Sequence, residues 1–493
     1  MKSIRTIHAT ARLALAAASA CGAMQAHAAV AGSWGEGCDV QAPAVGCSDA
    51  KESRSFVIRA SDGHASMGDG VHVYMWGYGL GQAGRMQYTG PTLLARAGEH
   101  IMITLYNDLP VTTSMTFPGQ VMTSGGPTAT SPLGRQIPPG EHETYEFTAG
   151  QPGTYTYQSG TRPSLQVEMG LMGALIVYPA TTLRQAYDHP STAFDRETLL
   201  ISTDIDSDIH QSVYEQVQNC GSNCDSAITV DLSKRFPKYW TLNGRTSPDV
   251  FANNYVGELP HQPYNALPRL HPGEKILFRM IGGGMDMHPM HHHGANSWHI
   301  ATDGRMLSTT PDNQTAAGAG ADMAVSDYTI PVTPGQTYDA IWSWSGKGLG
   351  WDVFGATCDL AQAVSADNCR FGKYDGSGTQ TAAPATYIDP DTLLAKPYRS
   401  TQDPLTDMYK PIPSVIPSEL ELAFGEFYSG SPYLGDFGAR PVGAGAANTT
   451  GGFFHMFHSH NEREVVNGGI YPGGMLTMTV IEPFTVKIDP DQP

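Results

Sequence analysis

Apolar and polar residues alternate over many short stretches, the period-two signature of strands with one buried face. Ile101-Met-Ile103-Thr-Leu105 follows a Gly98-Glu99 turn, and Ile276-Leu-Phe278-Arg-Met280 follows a Gly273-Glu274 turn. Each stretch closes a longer repeated segment, Pro91–Leu105 in one copy and Pro268–Met280 in the other. Further landmarks recur in the same order. Pro139-Gly140-Glu141 precedes Tyr145-Glu-Phe147, and Pro334-Gly335-Gln336 precedes Tyr338-Asp-Ala-Ile341. A terminal strand then closes each copy, from Gly170 to Val177 and from Gly473 to Ile481. A repeat of this length and order predicts an all-β protein made of two β-sandwich domains of one type. The expected boundaries are an N-terminal segment over 29–50, a first domain over 51–180 and a second over 196–485. The connection Thr181–Asp195 should carry a helical turn. The second domain owes its greater length to residues 352–445, rich in Pro, Gly, Ser and Thr, which read equally as a long ordered loop region or an added subdomain.

Composition agrees with many turns around a large core. The 493 residues include 55 Gly and 35 Pro, 40% are apolar and only 15% charged, which is too apolar for a disordered chain. A net charge of −18 argues against a nucleic-acid partner, because phosphate recognition needs clustered Lys and Arg. At the N-terminus, Lys2, Arg5 and Arg12 lead into an apolar run from Leu13 to Met24 and then Ala26-His27-Ala28. This predicts a signal peptide over residues 1–28, cleaved after Ala28, and a periplasmic or secreted product. Cys21 after Ala18-Ser19-Ala20 also forms a weak lipid-attachment motif. No other apolar run is long enough for a transmembrane segment. The six remaining cysteines fall as neighbours, and short local loops favour Cys38–Cys47, Cys220–Cys224 and Cys358–Cys369 disulfides. Thiolate zinc sites are not expected, since no C-x-x-C pair occurs.

Histidine carries the candidate chemistry. The second half contains His288-Pro-Met-His291-His292-His293-Gly294 and His455-Met-Phe-His458-Ser459-His460. Residues two apart on an extended chain point the same way, so His291 with His293, and His458 with His460, form two bidentate claws. Neutral imidazole suits copper, zinc, iron or nickel. Met280, Met285, Met287, Met290 and Met456 flank these histidines; thioethers select cuprous ions, but Met also fills core gaps, the expected role of Met280. Asp204-Ile-Asp206-Ser-Asp208-Ile-His210 alternates oxygen donors, yet lacks the glycine and terminal glutamate of a calcium loop. Asp206 or Asp208 as the N-cap of a helix over Gln211–Gln218 is the favoured reading.

The His288–Gly294 segment resembles the H-P-x-H-x-H-G motif of multicopper oxidases, the laccase-like cupredoxin family. His458-Ser459-His460 with Gly468 is similar to the family's closing H-C-H-x-x-x-H-x-x-x-G. Tyr88–Thr92, Asn107–Pro110, Gly153–Tyr157 and Gly170–Val177 look like its first-domain signatures. The resemblance implies tandem cupredoxin domains, copper as cofactor and oxidoreductase activity. It also exposes what is missing. Thr116 and Pro118 stand where the first motif has its histidines, and Gln158-Ser159-Gly160 has neither histidine of the second. Four of the eight expected ligands remain: His291, His293, His458 and His460. At the electron-entry copper, His288 matches, but Ser459 replaces the cysteine, Glu464 the second histidine, and Gly469 stands at the axial place. A serine cannot supply the thiolate that makes such a site blue. Gln158, Glu462 and Glu464 are candidates to support the remaining site. The expected function is therefore an exported copper-binding protein of this type with oxidoreductase activity, served by a redox partner protein or small reductant. The alternatives are a copper-binding or trafficking protein without turnover, and a cupredoxin scaffold that binds a partner protein. A homo-oligomer is compatible with all three.

Overall fold

The computed structural model describes residues 30–38, 46–129, 131–310, 318–344, 386–388, 395–397, 430–432, 452–482 and 488. The expected signal peptide, Cys358–Cys369 and nearly all of 352–445 lie outside these residues. The strands of the first half are β1 (Ser53–Ser66), β2 (His72–Leu80), β3 (Leu93–Arg96), β4 (His100–Asn107), β5 (Met122–Ser124), β6 (His142–Thr148), β7 (Gly153–Gln158) and β8 (Met172–Tyr178). They form a five-stranded sheet in the order β2-β1-β4-β6-β5 and a three-stranded sheet β3-β8-β7. The second half contributes β9 (Arg196–Ile205), β10 (Tyr239–Leu242), β11 (Arg269–Leu270), β12 (Lys275–Gly282), β13 (His288–His292), β14 (Ser297–Thr302), β15 (Arg305–Met306), β16 (Val325–Asp327), β17 (Thr329–Val332) and β18 (Thr337–Ser343). After these come β19 (Thr386–Ile388), β20 (Ala395–Pro397), β21 (Ser431–Pro432), β22 (Phe453–Ser459) and β23 (Leu476–Ile481). One sheet runs β10-β9-β12-β18-β14-β15 with β16 on β14, and the other β11-β23-β22-β13-β17 with β21 on β22. The molecule is all-β, two sandwiches in tandem.

The sequence repeat is visible in the contacts. Gly98 and Gly273 both take positive φ at the turn, where a side chain would be strained. The glutamate that follows each glycine reaches back three residues, accepting from Arg96 N and His271 N, both at 2.8 Å. Each also pairs with an arginine on the adjoining strand, Glu99 with Arg54 and Glu274 with Arg196. The adjoining strands are themselves equivalent, since β1 pairs with β4 in parallel as β9 does with β12. Burial pushes the Glu274 carboxyl up, but His271 and Arg196 outweigh it and hold the pKa below its ordinary value.

Strand burial shows where the sandwiches meet. In β4, exposure alternates strictly, as expected with one face toward solvent. In β8 every residue is buried, and in β9 and β12 all but the first, so both faces of these strands are covered. A buried polar network joins them. Asp339 on β18 accepts from Thr154 Oγ1 on β7 and from Tyr187 OH, each at 2.6 Å. Arg279 on β12 donates to Glu197 at 2.6 Å and to Thr154 Oγ1 at 3.0 Å, while Tyr178 OH donates to Glu197 at 2.7 Å. Burial drives the Glu197 pKa up against the opposing pull of Arg279.

Smaller expectations are met. The connection between the halves contains a single 3-10 turn, Pro190–Thr192. Asp206 caps the helix Ser207–Asn219 by accepting from Asp208 N and Ile209 N. Disulfides join Cys38 to Cys47 and Cys220 to Cys224. No helix among the described residues is long and apolar enough to cross a membrane. Because Asp339 bridges both halves from a fully buried position, Asp339→Ala should destabilise the folded chain by about 3–5 kcal/mol, the usual cost of orphaning buried charged partners. Chemical denaturation read by tryptophan fluorescence measures this; a loss below about 1 kcal/mol would show that the network does not hold the halves together.

Candidate metal centre

Two neighbouring strands bring the claws together. β13 pairs antiparallel with β22, and His291 stands directly opposite His458. Along β13, His288, Met290 and His292 are buried while Pro289 and His291 are half-buried; along β22 the buried positions are Phe453, His455, Phe457 and Ser459. The alternation places Met290 and Phe457 in the core and turns His291, His293 and His458 to the outer face. One ligand nitrogen from each of these three lies within 4.8 Å of the others. His293 Nε2 and His458 Nε2 are 3.3 Å apart.

On two of the rings the other nitrogen is occupied. His291 Nδ1 meets Thr329 Oγ1 at 2.9 Å, and His458 Nδ1 donates to the Ser459 carbonyl at 2.8 Å. Anchoring one nitrogen fixes the ring and aims the other, the usual device at imidazole metal sites. Partial burial, followed by repulsion from His293, His458 and His460, lowers the His291 pKa to about 4. The same causes lower His293, and burial also lowers His458. The cluster is thus neutral, with free nitrogen lone pairs, at ordinary pH. His460 lies past the end of β22, its ring 5.0 Å from that of His291 and 5.7 Å from that of His458. It borders the three-histidine group without joining it.

The positions aligned with an electron-entry copper are also together, in a different chemical state. His288 Nδ1 meets Glu464 Oε2 at 2.9 Å, and Ser459 Oγ donates to the same oxygen at 2.6 Å. The second His288 nitrogen faces Asp204 at 3.3 Å, and Asp204 is paired with Arg235, which also donates to Glu168 at 2.7 Å. Gly284 makes room for this arrangement, because a Cβ there would sit 2.2 Å from Asp204 Oδ1. Burial disfavours the imidazolium, yet the bonds to Asp204 and Glu464 raise the His288 pKa to about 9. Both ring nitrogens face carboxylates, Nδ1 in a hydrogen bond to Glu464 and Nε2 in an ion-pair contact with Asp204.

Other candidates resolve differently. Met280 and Met290 are core residues, and of the two readings open for Met290 core filling holds: on β13 it shares the inward face with His288 and His292. Met287 is 54% exposed. Glu464 serves His288 and Ser459 rather than the claws, and Glu462 is exposed at the start of a 3-10 turn. Gln158 and Thr116 exchange backbone hydrogen bonds at 2.8 and 3.1 Å within the first half. Among the described residues no hydrogen bond links Gln158 to the histidines. Asp204, Arg235 and Glu168 were not expected at a site; their separation in sequence hides them, and only the alternation of acids around Asp204 hinted at one.

The multicopper oxidase family profile matches residues 62–182. That stretch of the chain is similar to multicopper oxidases. Copper is the cofactor that this match implies, and a cluster of neutral, oriented imidazoles suits it. Over 112 residues the chain is 33% identical to the multicopper oxidase MCE of Talaromyces pinophilus, a match covering 22% of this chain and 18% of that one. Over 253 residues it is 25% identical to the copper-containing nitrite reductase of Pseudomonas chlororaphis, covering 50% and 64%. The blue copper oxidase of Nitrosomonas europaea superposes with a TM-score of 0.47 at 18% identity, covering 89% and 88%. The chain thus spans less than a quarter of the first of these relatives.

The buried His288 should leave a signature in pH. Its folded pKa near 9 exceeds an unfolded value near 6.5, so the ion pairs stabilise fully below pH ~6.5 and are lost as pH rises through ~9. Melting temperature should therefore fall across that window. His288→Gln should melt lower at pH 6 and show a flatter decline; an equally steep decline in the variant would rule out this origin.

Proposed function

We propose that this multicopper oxidase relative binds one copper ion through His291, His293 and His458, with His460 at its edge, and performs oxidoreductase chemistry there. The observation that carries the reading is the cross-strand opposition of His291 and His458 with His293 beside them, three ligand nitrogens within 4.8 Å. Copper at this place supplies a Lewis-acidic, one-electron centre. Thr329 and the Ser459 carbonyl hold the rings in register for it. Electron entry through a blue site is excluded from the proposal, since Ser459 offers no thiolate and Glu464 is hydrogen-bonded to both Ser459 and His288. A small reductant or redox partner protein must then deliver electrons directly at the histidine face. Export to the periplasm or beyond is part of the same reading, supported by the disulfides Cys38–Cys47 and Cys220–Cys224.

The test is metal content by mass spectrometry after copper loading, beside His291→Ala/His458→Ala. About one copper per chain is expected, lost in the double variant, with a colourless protein whose cupric spin-resonance signal lacks thiolate character. Oxidation of a phenol by the loaded chain, abolished in the variant, distinguishes the enzyme from a copper carrier without turnover. Equal copper in wild type and variant would end the assignment.

A further inference from the structure

The strand register extends the donor surface beyond the histidines. β22 pairs antiparallel with β23, placing Met456 directly opposite Met478. On the other side of β22, His293 N donates to the Met456 carbonyl at 3.0 Å, one step along from the His291–His458 pair. His293, just past the end of β13, therefore forms one row with Met456 on β22 and Met478 on β23, on the same outer face as His458. Both methionines are half-buried, and neither packs into the apolar core beneath this sheet, which takes Met290, Phe457, Met475 and Ile481 instead. Gap filling, the ordinary reason for a methionine, does not account for the pair.

We infer that Met456 and Met478 form a cuprous-ion subsite, completed by His293 and continuous with the three-histidine group. Side chains directly opposite on antiparallel strands have Cβ atoms about 4.5–5.5 Å apart, within which two flexible thioethers converge on one soft ion. Thioethers select cuprous over cupric copper, whereas imidazole holds both. The face is thus graded, soft at Met478 and harder at His291, with His293 shared. Copper arriving reduced would be taken at the methionine end. The inference rests on reading His291, His293 and His458 as a copper site.

The test compares both oxidation states in the full chain. Cuprous affinity is measured without oxygen by competition with a chromophoric chelator, and cupric affinity by spin resonance. Met456→Leu/Met478→Leu, a near-isosteric change, should weaken cuprous binding by at least about tenfold and leave cupric binding within about twofold. X-ray absorption of the cuprous form should show copper–sulfur scattering in the wild type that disappears in the variant. Unchanged cuprous affinity, or no sulfur scattering in the wild type, overturns the subsite while leaving the histidine reading intact. Cupric binding that survives His291→Ala/His458→Ala overturns the histidine reading instead. Circular dichroism matching the wild type confirms that the leucine variant is folded.

Discussion

Register between β13 and β22 governs this molecule. The hydrogen bonds that oppose His291 to His458 also send Met290 and Phe457 inward and set Ser459 opposite Met290, where it shares the Glu464 carboxylate with His288. Side chains alternate with period two, so a slip of one residue would bury the imidazoles and push the core residues to the surface. The metal-binding face, the apolar core and the closed ionic site are set by one pairing. None can shift without disturbing the other two.

The ionic site shows how a ligand position can keep its geometry and change its chemistry. His288, Ser459 and Glu464 meet as an electron-entry centre would require, but as imidazolium, hydroxyl and carboxylate. Asp204 closes the remaining nitrogen, and Arg235 balances the acids. A cation is retained at the place, now a proton on nitrogen. Something comparable holds in the first half, where Thr116 and Gln158 lie side by side through their backbones although neither offers an imidazole.

Much of this was legible in the chain because it is local. Alternation gave the strands, Gly98 and Gly273 marked equivalent turns, and H-x-H spacing placed His291 with His293. Asp206 was recognisable as a helix cap from its neighbours alone. What escaped was non-local. Asp204, Glu168 and Arg235 meet His288 only after β9, β13 and the loops between them pack, so no spacing announces them. His460 illustrates a finer limit: like His293 it stands one residue past its strand at the same spacing, yet only His293 brings a nitrogen into the three-histidine group, and spacing alone does not separate the two. Met290 and Met456 look alike in sequence, and only the parity of their strand positions separates a core residue from a surface donor.

The buried network around Arg279 has a consequence for how divisible the protein is. The first half has no motif histidine left, and by ligand counting it is dispensable. Yet Thr154 and Tyr178 from that half satisfy Asp339, Arg279 and Glu197, all of which sit on strands of the half that keeps the histidines. Cut away, it would expose an apolar sheet face on which Asp339 and Arg279 have lost Thr154 and Glu197 has lost Tyr178. A module that has surrendered its chemistry is thereby kept as an indispensable wall of the neighbour that retains it.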